Sequence, residues 1–454
     1  MKTENTIHND ALNLGNFNFS FKLKELEKMY YFINQEKYLD NINKYNFMSG
    51  DPIAYKAYPP AIKQIVKVLK KGNLYEYQPT NGNVNDKLII SKYLRNIGIN
   101  ACAQNVTFTY STTHAFNLIF ECLGKQGDAI IIPTPNYGLF DFTPERYGLH
   151  VVPISLNINN NWLIDCDELE KTINFYNSNT KGSKVAFFYN MNPHNPTGKV
   201  MSGNNKDILN KLGELAIKYN FIIIDDLVYR DLTYDVGHMP VSISSFEKYF
   251  NNTISLFGIS KSYNLAAIRS GFMVSNKKIA TTIQNKIYHT MDSVSVINIK
   301  ALTSAFNINN KKYYKKYFKN IMKMYLENYN LLRYLINGFD KANSANEVKY
   351  KKIIKKYLSK SDYEYIFSGI KNIDFLDGLE EIESGFFALL KIKTNLNYYE
   401  LFDKLFVEAN VKVICGNSIM YMDNNEKIIR INFAVKQKDL VFGMLNLKKM
   451  IDNN

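Results

Sequence analysis

The chain has 454 residues, 46% of them hydrophobic, and a formal net charge of +14, enough apolar material for one or two large cores, which excludes a disordered chain. Its longest apolar runs ("DAIIIP", "FIIID") fall far short of the roughly 20 residues that span a bilayer, and "MKTENTIHNDALNLGNFNFS" carries no apolar leader, so a cytoplasmic protein with no membrane partner is expected. The lysine excess recurs at helical spacing beside Tyr, Ile and Leu, as on a solvated helix face, and no helix-turn-helix, zinc-finger or ribonucleoprotein signature accompanies it, so no nucleic-acid partner is expected.

Residues 1–20 are polar, and 20–46 ("FKLKELEKMYYFINQEKYLDNINKYN") read as one or two short amphipathic helices, giving an N-terminal arm over 1–46. "FMSGDPIAYKAYPP" reads as a loop, followed by a helix through "AIKQIVKVLKKG" and a turn at "YQPTNGN". From about 84 to 300 short β-rich apolar runs alternate with helical ones. The order is helix "VNDKLIISKYLRNIG", strand "VTFTYS", helix "THAFNLIFECLG", strand "DAIIIPTP", helix-like "YGLFDFTPERYG", then strands "HVVPISL" and "KVAFFYNM". Helix "KDILNKLGELAIKYN", strands "FIIIDDLV" and "NTISLFGI", then a helix and strand "IRSGFMV" follow. Strands separated by helices predict an α/β domain with a mainly parallel sheet, over 76–310. A long helix from about 308 to 338, a charged helical insertion at 340–376, and terminal "IESGFFALLKI", "NYYELFDKLFVEANV" and "KIIRINFAV" predict a smaller α+β domain, 311–454, completed by 47–75. Cys102, Cys122, Cys166 and Cys415 have neither CxxC nor zinc spacing, so they read as reduced thiols, with no metal site.

In such a sheet a ligand sits beyond the carboxyl ends of the strands. After "VTFTY", Ser111, Thr112 and Thr113 open a helix, where free backbone N–H groups and hydroxyls suit a phosphate. "NPHNPTGK" puts Asn195 on a turn enforced by Pro193, Pro196 and Gly198. Asp226 and Tyr229 end "FIIID", and Lys261 follows "ISLFGIS", with Arg269 eight residues on. Each alone is more often structural than catalytic. Together they suit an aldehyde cofactor with a pyridinium ring and a phosphate: a desolvated Lys261 forms a Schiff base, and Arg269 takes the phosphate.

"NPHNPTGK", "DDLVY" and "SKSYNLAAIRSGF", in that order, resemble the fold-type I pyridoxal-phosphate enzymes of the class I/II aminotransferase family, over about Phe47 to Ala434. The resemblance implies an α/β fold, a large domain with a mainly parallel sheet between helices plus a smaller α+β domain, assembled as a homodimer with the active site at the interface. It implies pyridoxal 5'-phosphate as cofactor and transfer of an α-amino group between an L-amino acid and a 2-oxo acid. Lys261 is then the Schiff-base lysine and proton carrier, and Asp226 the partner of the pyridine nitrogen. Asn195 and Tyr229 bond the cofactor's phenolic oxygen, and Tyr137 stacks on its ring. Ser111, Thr112, Ser260 and Arg269 contact its phosphate, and Tyr77 in "YEYQPTNG" reaches the phosphate of the other subunit. Arg430 in "IIRINFA", with Asn195, clamps the substrate α-carboxylate, and Gly50 in "FMSGDP" belongs to a segment that closes over substrate.

Departures from the family pattern qualify this. Gly258 stands where a phosphate-binding serine is usual, Cys415-Gly416 where Pro-Gly is usual, and His114 where glutamine is common. "STTHA" and "YHTMDSVSVIN" supply no second cation for a dicarboxylate, which disfavours an aspartate or glutamate specialist; Asp292 would instead greet a cationic side chain. The alternative is an oxidase or hydroxylase, decarboxylase or cyclase of the same fold acting on a specialised amino acid, a basic one among the candidates. A non-enzymatic cofactor-binding domain fused to a DNA-binding one is disfavoured, since the N-terminal 46 residues are too short for a winged helix.

Overall fold

A computed structural model describes residues 45–453, apart from 72–73, 181, 340–344 and 420–425. The helices expected within 20–46 lie outside the described residues, save for the last two, which are a strand.

A seven-stranded sheet has the order β2-β8-β7-β6-β5-β3-β4. Its strands are β2 (Val106–Thr109), β3 (Ala129–Thr134), β4 (His150–Ser155), β5 (Val185–Met191), β6 (Ile222–Asp226), β7 (Thr253–Gly258) and β8 (Gly271–Val274). β4, β3, β5, β6 and β7 run parallel, and β8 runs antiparallel to both β7 and β2. Strands covered by helices on both faces are buried throughout, as β3, β7 and β8 are at every residue, Thr253 and Ser255 of β7 included. β4 is an edge strand with exposed positions, which is where a sheet tolerates Pro153. Helix Thr112–Leu123 follows β2, and helix Lys206–Tyr219 follows β5.

One crossover went unforeseen. Helix Cys166–Asn179 joins β4 to β5, capped by Asp165, whose carboxylate accepts from Asp167 N at 2.9 Å and Glu168 N at 3.1 Å. It buries only Leu169 and Ile173, so its apolar stripe is too narrow to announce itself in the sequence.

A four-stranded sheet has the order β12-β13-β10-β9, all pairs antiparallel, with β9 (Ile373–Phe375), β10 (Phe387–Ile392), β12 (Ile414–Cys415) and β13 (Lys427–Asn432). β1 (Tyr45–Asn46) pairs in parallel with β11 (Val411–Lys412). Phe47 is fully buried there against the C-terminal helix Gln437–Asp452, another element the sequence reading omitted. A Cβ on Gly443 of that helix would meet the Phe47 ring, so glycine permits the close approach. Helix Pro59–Lys71 packs against helix Val296–Ala305.

The insertion forms helices Ala345–Tyr357 and Lys360–Ile366. It is tied to the C-terminal helix by Lys448 Nζ to Gly369 O (2.7 Å) and Lys449 Nζ to Asp362 (2.7 Å). The long helix Lys311–Asn337 buries Phe318, Ile321, Tyr325 and Leu332 and turns its lysines outward, as the amphipathic reading required. Among the described residues no helix is long and apolar enough to cross a membrane.

Candidate active site

The carboxyl ends of β2, β3, β5, β6 and β7 share one edge of the large sheet, and because β8 is antiparallel its first residue lies there too. A cavity of about 400 Å³ opens at that edge and reaches β10 and β13 of the smaller sheet. Gly50, Ser111, Thr112, Tyr137, Asn195, Asp226, Tyr229, Ser260, Lys261, Arg269 and Arg430 all line it. Of the residues singled out from sequence, Tyr77 does not: it is 87% exposed on the chain's surface.

At one end of the cavity, helix Thr112–Leu123 begins. Ser111 Oγ accepts the His114 N–H at 3.1 Å, and the N–H groups of Thr112 and Thr113 have no preceding turn to bond. A Cβ on Gly271 would lie 2.7 Å from Phe257 O and 3.0 Å from Ser111 C, so only glycine lets β8 start against this turn. A Cβ on Gly258 would lie 3.3 Å from Thr112 Cγ2. The threonine methyl thus crowds the place of the expected serine, while Ser260 keeps a hydroxyl at the cavity. Arg269 adopts φ 53, a left-handed conformation that costs an ordinary L-residue about 1 kcal/mol or more. Its guanidinium is exposed and donates to Ala266 O at 2.9 Å.

Lys261 follows β7, and its Nζ donates to Gly50 O at 2.8 Å. Burial pushes its pKa down to about 8; Arg430 and Arg269 push the same way, and Asp51 and Asp226 oppose. Asp226, the last residue of β6, is 1% exposed. Its Oδ1 accepts the Val228 N–H at 3.0 Å and its Oδ2 the Tyr189 hydroxyl at 3.1 Å. Burial nevertheless raises its carboxyl to about 7, with the neighbouring Asp225 adding to the rise. Tyr229 is buried against Phe386 and Phe387, and burial raises its phenol above the usual range, opposed by Arg430.

Asn195 sits in "NPHNPTGK", where the Asn192–Pro193 and Asn195–Pro196 bonds are cis and Gly198 has φ 72. A Cβ at Gly198 would lie 2.8 Å from Ser384 O. Asn195 Oδ1 accepts from Arg430 Nη1 at 3.3 Å. Arg430, on β13, is 1% exposed; its Nη2 donates to Met48 O at 2.7 Å, and its guanidinium carbon lies 4.0 Å from the centroid of the Phe387 ring. Burial lowers its pKa to about 10, and its Nε finds no hydrogen-bond partner among the described residues. A buried guanidinium with an unpaired N–H is short of one acceptor.

Sequence reasoning missed several participants. Asn432 donates to Ser49 O (2.7 Å) and Asp51 O (3.0 Å), pinning the segment that carries Gly50; its signal was strand alternation, two residues beyond Arg430 on the same face. Tyr189, Met191 and Phe387 carried no motif. His114 does not line the cavity: its Nδ1 accepts the Tyr110 N–H at 3.1 Å, a local structural use. Asp292 and the described residues of the insertion are also absent from the lining. Among the described residues no group of three or more His, Cys, Asp or Glu is arranged to hold a metal ion.

The family model described as aminotransferase class I and II matches residues 41–441. A 1-aminocyclopropane-1-carboxylate synthase of Oryza sativa subsp. japonica is 28% identical over 264 residues, 56% of this chain and 47% of that protein. The glutamate-pyruvate aminotransferase AlaA of Haemophilus influenzae is 26% identical over 238 residues, 52% of this chain and 55% of that protein. The chain thus spans about half the length of these curated relatives. Aspartate aminotransferase of Thermus thermophilus, solved with maleate, superposes with a TM-score of 0.72 over 91% of this chain and 93% of that one at 15% identity, a likeness of fold.

Proposed function

We propose that this chain, which belongs to the class I and II aminotransferase family of pyridoxal-phosphate enzymes, transfers an α-amino group between an L-amino acid and a 2-oxo acid. The observation that carries the reading is the meeting, in one cavity, of a lysine with a lowered pKa, a buried carboxylate and a buried arginine with an open donor.

The residues present fit pyridoxal 5'-phosphate, the family's cofactor. Ser111, Thr112, Ser260 and Arg269 supply N–H groups, hydroxyls and a guanidinium for its phosphate. Asp226 offers a carboxylate for its ring nitrogen, Asn195 and Tyr229 offer donors for its phenolic oxygen, and Tyr137 offers a ring face. When bound, the cofactor supplies an aldehyde that condenses with amines and a ring that accepts the electrons released at the substrate's α-carbon.

The chain's own groups do the rest. The Lys261 amine, displaced by an incoming amino group, is the base that takes the α-proton and returns it on the other side of the exchange. Its lowered pKa leaves a useful fraction unprotonated near neutral pH. Arg430 holds the α-carboxylate through its open Nε and a neighbouring N–H, a geometry lysine lacks, and Asn195 steadies that guanidinium. The segment around Gly50, pinned by Asn432 and by Arg430 at Met48 O, excludes water from the amine.

Among the described residues Lys261, Arg269 and Arg430 are the cations lining the cavity, and each has a task on this reading. A second substrate carboxylate therefore finds no partner in this lining, which supports a donor other than aspartate or glutamate. The exposure of Leu74 (48%), Tyr75 (78%), Tyr77 (87%) and Val84 (65%) close together in sequence supports burial of this surface against a second copy, with Tyr77 reaching the neighbouring site.

The test mixes cofactor-loaded protein with single amino acids, with and without air, and follows the visible spectrum. Conversion to the pyridoxamine form, reversed by a 2-oxo acid, is the expected result and names the donor. Oxygen uptake without that reversal overturns transamination in favour of oxidation or hydroxylation.

A further inference from the structure

We propose that Tyr189 is a positioning residue: its hydroxyl holds the Asp226 carboxylate as a fixed acceptor turned into the cavity, for the cofactor's ring nitrogen. This rests on the reading of Asp226 given above.

The register of the sheet makes the contact. Tyr189 on β5 pairs with Ile224 on β6, so its side chain emerges on the face that Asp226 shares two residues further on. A side chain as long as tyrosine's reaches that diagonal neighbour. Its ring is 3% exposed and packs edge-to-face on Phe116 at 5.4 Å between centroids. Phenylalanine would fill this place equally well, so the hydroxyl is an addition that packing does not require. With the Val228 N–H at 3.0 Å on Oδ1 and Tyr189 at 3.1 Å on Oδ2, each oxygen is fixed by one donor and retains a lone pair for another.

The need for a second donor comes from the other face of β6. There Asp225 is fully buried and accepts from Asn190 Nδ2 (2.7 Å), Ser242 Oγ (2.7 Å) and Ile243 N (3.0 Å). Two carboxyls on adjacent residues in a buried strand end repel, and burial already favours the protonated form of Asp226. A protonated Asp226 would leave the ring nitrogen without its counter-charge. The Tyr189 and Val228 donors act the opposite way and keep the charge on Asp226. The phenol, raised well above its ordinary value by burial and by Asp226, remains a donor at every working pH.

The experiment compares the holoenzyme with Tyr189→Phe and Asp226→Asn. Without the hydroxyl the proton shared by Asp226 and the ring nitrogen moves toward Asp226, and the ring loses positive charge. The protonated state of the lysine–cofactor nitrogen is then less disfavoured, so the pH midpoint of the visible band moves upward in Y189F. The turnover number falls about ten- to a hundredfold, the worth of a hydrogen bond to a charged acceptor, while KM stays within about twofold. Should the phenylalanine chain fail to fold, 3-fluorotyrosine at position 189 keeps the shape and donates more strongly, and the midpoint moves downward. A Y189F protein with a lower melting temperature but an unmoved midpoint and turnover overturns the proposal. If D226N moves both readouts and Y189F moves neither, Tyr189 alone loses its role; if D226N moves neither, the reading of Asp226 falls and this proposal with it.

Discussion

Gly50→Ala isolates the relation between the segment at the cavity mouth and the reactive amine. An ideal Cβ on Gly50 would lie 2.8 Å from Lys261 Nζ, 3.9 Å from its Cε and 4.0 Å from Phe387 Cζ. Ordinary contact between such atoms begins near 3.5 Å, so Nζ must retreat by roughly 0.7 Å. Gly50 does not have a left-handed φ, so the restriction is one of space and not of backbone conformation. The same retreat strains the 2.8 Å bond from Nζ to Gly50 O, worth about 1 kcal/mol net. Because the displaced atom ends a flexible side chain, the fold loses little, and the melting temperature should drop by no more than about 2 °C. The amine, however, is the group whose position matters. A misplacement of about 1 Å costs on the order of a hundredfold in rate, so about tenfold or more is expected here. The assay is the rate at which apoprotein regains its visible band on addition of cofactor, together with kcat/KM on the best donor and a thermal melt. Wild-type values for both rates would refute the placement of Gly50 against Lys261. A large fall in melting temperature with normal rates would make Gly50 a packing residue only.

Cofactor capture should also report the Lys261 pKa directly. The neutral amine attacks the aldehyde, so the rate rises with pH and levels off above about 8, not above the 10.5 of an ordinary lysine. At pH 7 the lowered value leaves about 300-fold more neutral amine than an ordinary lysine would have. Stopped-flow mixing of apoprotein and cofactor across pH 6–10 measures this, and a rate still climbing between pH 9 and 10 would contradict it. Arg430→Ala should raise KM for every amino acid alike by about ten- to a hundredfold, with Arg430→Lys recovering part of it. Steady-state kinetics over several donors checks this, and an effect confined to one side chain would remove Arg430 from the α-carboxylate.

Which parts of the site were legible follows from how each residue arrives there. Asn195, Asp226, Lys261 and Arg269 lie within a few residues of a strand end, and their strands are continuous apolar runs that mark themselves. Tyr189 and Phe387 lie inside strands, where an aromatic reads as core, and only the pairing of β5 with β6, and of β10 with β13, turns them toward polar partners. The helix Cys166–Asn179 failed for the converse reason. Two buried side chains in fourteen residues leave a mostly polar run that a loop would match equally well. Tyr77 was legible as a motif, yet within the single chain it is exposed and lies outside the cavity lining.

The arginine makes the sharper case, because nothing near residue 430 connects it to a lysine 169 positions earlier. The link runs through the segment 48–51. Arg430 donates to Met48 O, Asn432 to Ser49 O and Asp51 O, and Lys261 to Gly50 O. One short stretch of backbone thus accepts from β13 of the smaller sheet and from Lys261, three residues beyond β7 of the larger one. The acceptors of these four bonds are main-chain carbonyls, while Ser49 Oγ donates to Asp51 Oδ2 at 2.6 Å within the segment, and its glycine stands where a side chain would meet Lys261. On the proposed reading the substrate carboxylate takes the N–H groups beside the bond to Met48 O, and recruitment of Lys261 gives up its bond to Gly50 O. Substrate binding and amine release therefore act on the same four residues, and a change in either should be felt by the other through the segment's position.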